Sequence, residues 1–274
     1  MGTTFTVAQN GDQILDGIGE TGLIARYTFK DDVKDWSRNN LHGSIQGTDF
    51  RFVKDELFGS VLSLGGNSDT FISLPAESVT GEETISVTGW IYMHSAKSGQ
   101  LFFDFGKDNK SHFFAAPVGF HDKEEFQAQI MTKSNSYISN SQAVAVDKWI
   151  HLAVVVNVPF KTLSTYVNGA LVNETKNVDV VLSQLFKSNS GETNKLYIGK
   201  SLDSDNTGLN AKLHDFRIYR IALNDKQIAR IHRNALNEGE SVVRTNEESK
   251  GELQQFPATT PQLYNAYLKS VSDI

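Results

Sequence analysis

The sequence predicts an all-β domain, a sandwich or barrel of antiparallel strands. Three observations carry that prediction. From Gly22 to Arg220 the chain runs in short stretches of β-branched and aromatic residues, parted by Gly, Asn, Asp and Ser. "TYVNGALV" (165–172) sets Asn168-Gly169 between two β-prone arms, and both residues tolerate the positive φ of a type I′ hairpin turn. "KWIHLAVVV" (148–156) is apolar on both alternating faces, the pattern of a central strand covered on each side.

In chain order, residues 1–21 are polar and Gly-punctuated and predict a lead-in, with Ile14, Leu15 and Ile18 able to dock on the domain. Strands are expected at "LIARYTF" (23–29), "GSVLSL" (59–64), "TFISL" (70–74), "TISVTGWIYM" (84–93) and "QLFFDFG" (100–106). They continue at "SHFFAAP" (111–117), "EFQAQIM" (125–131), "KWIHLAVVVNV" (148–158), the hairpin 162–175, "KLYIGK" (195–200) and "AKLHDFRIYR" (211–220). One helix is expected from Asp225 to Leu236. Asn224 and Gln227 form a capping box, Leu223 and Ile228 a hydrophobic staple, and Ile228, Ile231, Ala235 and Leu236 an apolar stripe. The domain thus spans 22–237. Residues 238–274 are acidic, polar and Pro-containing, a linker that regains apolar character at "LYNAYLKSVSDI", as the start of a following module would.

The composition excludes several function classes. The formal net charge of −6 makes nucleic acid a poor partner. The absence of cysteine excludes disulfides, thiolate metal sites and a cysteine nucleophile. No run approaches the roughly 20 apolar residues of a membrane helix, and the first residues lack the basic and apolar regions of a secretory signal.

Three stretches together carry a family resemblance: "GLIARYTFKDDVKDWSRNNLHGSI", "KWIHLAVVVNVPFKTLSTYVNGALV" and "AKLHDFRIYRIALNDKQIARI". In that order and spacing the chain resembles the laminin G-like, concanavalin A-like lectin/glucanase domains of bacterial surface and secreted proteins, over residues 22–237. The resemblance implies a jelly-roll sandwich of two antiparallel sheets with one short C-terminal helix. It also implies an extracytoplasmic setting, as a non-catalytic carbohydrate-binding or structural module of a polysaccharide-degrading enzyme, often from gut Bacteroidetes. Its partners would be a polysaccharide or glycan and neighbouring domains of the same polypeptide. A stand-alone lectin or adhesion domain, or a cryptic glycoside hydrolase, stays open as an alternative.

Candidate chemistry is sparse. A glycosidase needs two carboxylates about 5–9.5 Å apart. The Glu-x-Asp-x-x-Glu strand of the related retaining glucanases does not occur here; Glu82-Glu83 and Glu124-Glu125 are adjacent pairs, and Asp104 is a lone acid between aromatics. Gly-x-Ser-x-Gly, His-Glu-x-x-His and P-loop motifs are likewise missing. The resemblance implies a structural calcium between the early Asp-rich loop and the late strand, with Asp31, Asp35, Asn40 and Asp215 as ligands, oxygen donors of the kind calcium takes. Against it, Trp36-Ser37-Arg38 departs from the smaller residues common in that loop. "DSDNTG" (203–208) copies half an EF-hand loop, but His214 stands where the bidentate Glu belongs, so it reads as an Asx-rich turn. For sugar stacking, Trp36 in its polar loop, then Tyr137 and His121, are the exposed candidates, while Trp90 and Trp149 lie in apolar strands. His151 is assigned to packing, its ring nitrogens met by backbone or neighbours.

Overall fold

The computed structural model describes residues 22–79, 83–119, 125–186, 194–203 and 207–237. The lead-in 1–21 and the linker 238–274, with the module start expected there, lie outside the described residues.

Strands dominate, and all pair antiparallel. They are β1 (Leu23–Tyr27), β2 (Ser44–Gln46), β3 (Phe50–Asp55), β4 (Gly59–Gly65), β5 (Phe71–Leu74), β6 (Thr84–Met93), β7 (Phe103–Asp108) and β8 (Ser111–Ala116). After them come β9 (Glu125–Met131), β10 (Ser136–Gln142), β11 (Trp149–Asn157), β12 (Thr162–Val167), β13 (Ala170–Lys176), β14 (Lys195–Ile198) and β15 (Asn210–Tyr219). Among the described residues they are accompanied by a 3-10 turn (Ala76–Val79) and two α-helices, the single turn α1 (Leu182–Phe186) and α2 (225–237).

One sheet has eight strands in the order β13-β12-β11-β6-β15-β4-β3, with β1 paired to the C-terminal half of β15; the other has seven, β10-β9-β8-β7-β14-β5-β2. The sandwich fills because alternate residues of both sheets are apolar. Phe103, Phe105, Phe113, Phe126 and Ile130 from one side meet Ile91, Leu152, Val154, Phe216 and Ile218 from the other in one buried core. Along one flank the sheets are tied by Ser139 Oγ to Thr165 Oγ1 at 3.1 Å and by the Thr175 hydroxyl donating to the Ile138 carbonyl at 2.6 Å.

The hairpin forms as expected: Asn168 and Gly169 have φ of 50° and 81°. The Asn168 side chain also accepts the His151 backbone N–H at 3.0 Å, fastening the turn to β11. The capping box of α2 is reciprocal, Asn224 N–H to Gln227 Oε1 at 2.9 Å and Gln227 N–H to Asn224 Oδ1 at 3.1 Å. Its stripe of Ile228 and Ile231 packs with Leu223, Tyr166 and Tyr219 on the outer face of the eight-stranded sheet, and Ala235 with Trp90 and Phe58.

A bulge interrupts β15. Between the pairs His214–Trp90 and Arg217–Thr88, two residues of β15 face the single Gly89 of β6. Asp215 takes φ of 51° there. A Cβ on Gly89 would lie 3.2 Å from the Phe216 Cα and 2.9 Å from the Phe102 ring, so only glycine lets the bulge close.

Candidate functional site

The outer face of the eight-stranded sheet is covered by α2, which directs attention to the outer face of the seven-stranded sheet. Strand alternation decides what stands on it. The core claims Phe103, Phe105, Phe113, Leu196 and Ile198, so Asp104, His112, Phe114, Lys195 and Tyr197 project the other way. Register then aligns Ser73, Tyr197, Asp104, Phe114 and Gln129 in one row across β5, β14, β7, β8 and β9.

This row is closed at one end and open at the other. Phe114 packs with Leu101 and Ala116, all fully buried. Gln127 and Gln129 are also buried, the first amide donating to the second at 2.8 Å and the second to the Ser136 hydroxyl at 2.8 Å. Toward β14 and β5 the face opens into a hollow of about 250 Å3 lined by Ser68, Asp69, Lys195, Tyr197, Lys200 and Asp203, among others. Tyr197 forms its floor, packed edge-to-face on Phe71 at 4.7 Å between centroids. Lys200 spans the wall, its ammonium 4.5 Å from the Phe71 ring centroid and 3.1 Å from the Ser68 carbonyl.

Asp104 holds this arrangement together from beneath. It is fully buried, its Oδ1 2.8 Å from His112 Nδ1, and its Oδ2 accepts the Leu202 N–H at 2.8 Å and the Ser201 hydroxyl at 3.4 Å. One carboxylate therefore pins the 201–203 wall of the hollow to β7 and β8. Burial pushes the Asp104 carboxyl up, against the pull of His112 and the two loop donors. Burial, and then the nearby Asp104, push the Tyr197 phenol up too, so it stays a neutral hydroxyl. Asp104 is the lone acid of "FFDFG", and it serves as a structural hub: its hydrogen-bond partners are an imidazole, a hydroxyl and an amide, with no second carboxylate among them.

Of the residues expected to bind sugar, neither Trp36 nor Tyr137 lines this hollow. Trp36 keeps 46% of its surface exposed, but on the loop after β1, where its backbone N–H donates to the Arg26 carbonyl at 2.7 Å. Tyr137 turns inward against the main core and gives its hydroxyl to the Asp179 carbonyl at 2.9 Å. His121 lies outside the described residues. Of the buried tryptophans, Trp90 is core, and the half-buried Trp149 donates its indole N–H to Asp55.

Nor do the four expected calcium ligands form one oxygen cage. Asp35 accepts the Arg26, Ser37 and Leu41 N–H groups at 2.9, 2.8 and 2.9 Å and the Ser37 hydroxyl at 2.7 Å. Asp215 lies between Arg26 Nε at 2.6 Å and Arg217 Nη2 at 2.7 Å. Asp31 accepts the Ser60 hydroxyl, and Asn40 is exposed with φ of 55°. A cation placed among these donors would face two guanidinium groups and a shell of N–H hydrogens, so the residues as arranged do not fit calcium. Arg26 and Arg217 already neutralise the late-strand carboxylate.

His151 is buried beneath α2, as a packing residue should be, at 5.3 Å from Trp90 and 5.7 Å from His232 between ring centroids. The expected hydrogen bonds are not made: neither ring nitrogen has a partner among the described residues.

A family model described as the concanavalin A-like lectin/glucanases superfamily matches residues 65–229. No curated protein matches the chain. Among solved structures, domain 4 of AbnA, a GH43 extracellular arabinanase from Geobacillus stearothermophilus, in complex with arabinotriose, is similar at 21% identity and a TM-score of 0.60, covering 76% of this chain and 97% of that one. The botulinum neurotoxin serotype C1 binding domain is similar at 18% identity and a TM-score of 0.58, and a binding domain of botulinum neurotoxin DC in complex with SialylT at 15% and 0.60. Each toxin match covers 79% of this chain and 52% of the toxin chain, so the chain spans about half of those domains.

Proposed function

The chain belongs to the concanavalin A-like lectin/glucanases superfamily, and from that premise we propose that it is a non-catalytic glycan-binding module whose site is the hollow over Tyr197. The observation that carries this reading is the make-up of the hollow: a half-buried aromatic floor ringed by hydroxyls, ammonium groups and carboxylates of Ser68, Lys195, Lys200, Asp69 and Asp203. A sugar presents an apolar C–H face and a rim of hydroxyls that both donate and accept. An aromatic floor meets the first, and mixed polar walls meet the second. The Tyr197 hydroxyl makes no hydrogen bond to a described residue, which leaves it for a ligand. The arabinotriose and SialylT named for two proteins of the same fold support a sugar as the ligand class.

Hydrolysis finds no support in the hub. A glycosidase positions two carboxylates across the bond it cleaves, whereas both Asp104 oxygens are held by the fold. The module is read as part of an exported polysaccharide-processing protein, holding neighbouring domains near their glycan.

Calorimetric titration with soluble plant and animal polysaccharides tests the reading. Tyr197→Ala is expected to weaken binding at least tenfold, about 1.4 kcal/mol, while Trp36→Ala leaves it unchanged. The reverse pattern would move the site to the loop after β1, and no binding by any polysaccharide would overturn the reading.

A further inference from the structure

We propose that α2 is an acid-sensitive cover: protonation of the pair His151 and His232 lifts the helix from the eight-stranded sheet while the sandwich beneath stays folded. The geometry of the contact carries this. His151 on β11 and His232 on α2 meet at 5.7 Å between ring centroids, and both lie against Trp90, at 5.3 and 5.2 Å. Register sets His151, Trp90 and His214 side by side across β11, β6 and β15. Both nitrogens of His151, Nε1 of Trp90 and Nδ1 of His214 are buried with no hydrogen-bond partner among the described residues. The hairpin tip closes the same spot: a Cβ on Gly169 would lie 3.1 Å from the Ala229 Cα and 3.2 Å from the His232 Cβ. With 1% of its surface exposed, His151 meets water only when α2 moves. The helix is free to move without the sheets. It adds no strand to either. Side chains hold it: Ile228 and Ile231 on Tyr166 and Tyr219, Ala235 on Phe58 and Trp90, and the Tyr166 hydroxyl donating to Asp225 at 2.8 Å. An end element of this kind opens at less cost than the whole domain.

The charges around the pair do not offset an added proton. β15 brings Asp215 and Arg217, of opposite sign, and Asp215 is already held by Arg26 at 2.6 Å and Arg217 at 2.7 Å. Lys30 and Arg26 add positive charge beside His214. On the Phe58 side, Asp55 is taken by Lys212 at 2.7 Å. α2 itself brings Arg233 next to His232, with Lys226 and Arg230 exposed. β6 and the hairpin tip bring none. Burial and then His232 hold His151 down to about 3, and burial and then Arg233 hold His232 down as well. A lifted helix returns both rings to the ordinary value near 6.5. The lifted state then binds more protons, so falling pH favours it and rising pH seats the helix. From pH 7 to pH 5, His151 alone multiplies the lifted population by about 25. His232 acts in the same direction.

Hydrogen–deuterium exchange on the whole chain at pH 7, 6 and 5, corrected for the intrinsic pH dependence of exchange, tests this. The amides of α2 are expected to lose protection by about 25-fold or more from pH 7 to pH 5, and at each pH to open ahead of those of β6 and β11. His151→Leu is expected to remove most of that loss. His232→Gln, at a half-buried position on the helix, is expected to remove a smaller part and keeps the test in hand if the buried substitution unfolds the sheet. Helix and strand amides that open together at every pH would overturn the proposal. So would α2 protection that does not change with pH, or a loss that survives both substitutions.

Discussion

A neutral imidazole is what allows His151 to lie under α2 with no hydrogen-bond partner among the described residues. Burial first, and then the nearby His232, hold its pKa down to about 3, and burial holds His214, stacked on Phe58, down to about 4. Asp215 pulls both upward, and Arg217 pushes both down. The unfolded chain protonates these rings near pH 6.5. Between that pH and the folded values the unfolded state binds more protons, so stability falls as pH falls. Each ring contributes a slope of about 1.4 kcal/mol per pH unit in that window. In urea unfolding at pH 7, 6 and 5, His151→Leu is expected to flatten the decline by about that amount per unit. An unchanged slope would mean that the imidazole is not held neutral.

Asp215 has the opposite sign. Its carboxyl is held well below the usual range by Arg217 and Arg26, which overcome its burial, so its contribution is full above about pH 4 and is lost only as pH falls further. Asp215→Asn leaves two guanidinium groups facing a neutral amide inside the fold and is expected to cost about 3–5 kcal/mol. EDTA is expected to leave the melting temperature of the unaltered protein where it was. A rise on adding calcium would return a cation to the loop after β1. Asp35 and Asp215, which the sequence reading grouped, both lie against Arg26. The sequence could not show that arginine supplies the positive charge, because Arg26 and Arg217 sit within strands and look like ordinary solvent-facing positions.

At the level of elements, legibility followed burial. β6, β9 and the β12–β13 hairpin were readable because their apolar pattern is fixed by the core or their turn by Asn168-Gly169. β2, β3 and β10 were not, because they lie at or near sheet edges, where few side chains are buried and the composition stays polar; "SYISNSQ" pairs fully with β9 while burying only Ser139. α1 is a single turn held by Leu182, Leu185 and Phe186, too short to show a helical period. α2 was readable to within a residue, since a capping box is a purely local signal. Asn224→Ala breaks one half of that box and is expected to lower stability by about 1 kcal/mol, read from the urea midpoint. An unchanged midpoint would mean that packing of Ile228 and Ile231 on Tyr166 and Tyr219 holds the helix without its cap.

For the whole molecule, the fold could be read from the sequence, and the hollow we propose as the site could not. Alternation in "FFDFG" and "SHFFAAP" already sets Asp104 and His112 on the face opposite Phe103, Phe105 and Phe113, together with Phe114. What the sequence lacks is register: only the pairing of β14 with β7 brings Tyr197 beside Asp104, across some ninety intervening residues. Trp36 drew attention because an exposed tryptophan is visible in a string of letters, whereas a hollow is not.

The same long-range pairing bears on the order of assembly. β15 occupies the middle of the eight-stranded sheet, between β6 and β4, and also carries β1 from the far end of the chain. No amount of earlier structure can complete that sheet, because its central strand comes last in chain order among the described strands. On the ribosome, β1, β4 and β6 wait with open edges until residue 219 has emerged, and contacts so distant in sequence form slowly. The exposed interval, rather than the stability of the finished sandwich, is then the stage at which this chain is most open to pairing with a neighbour.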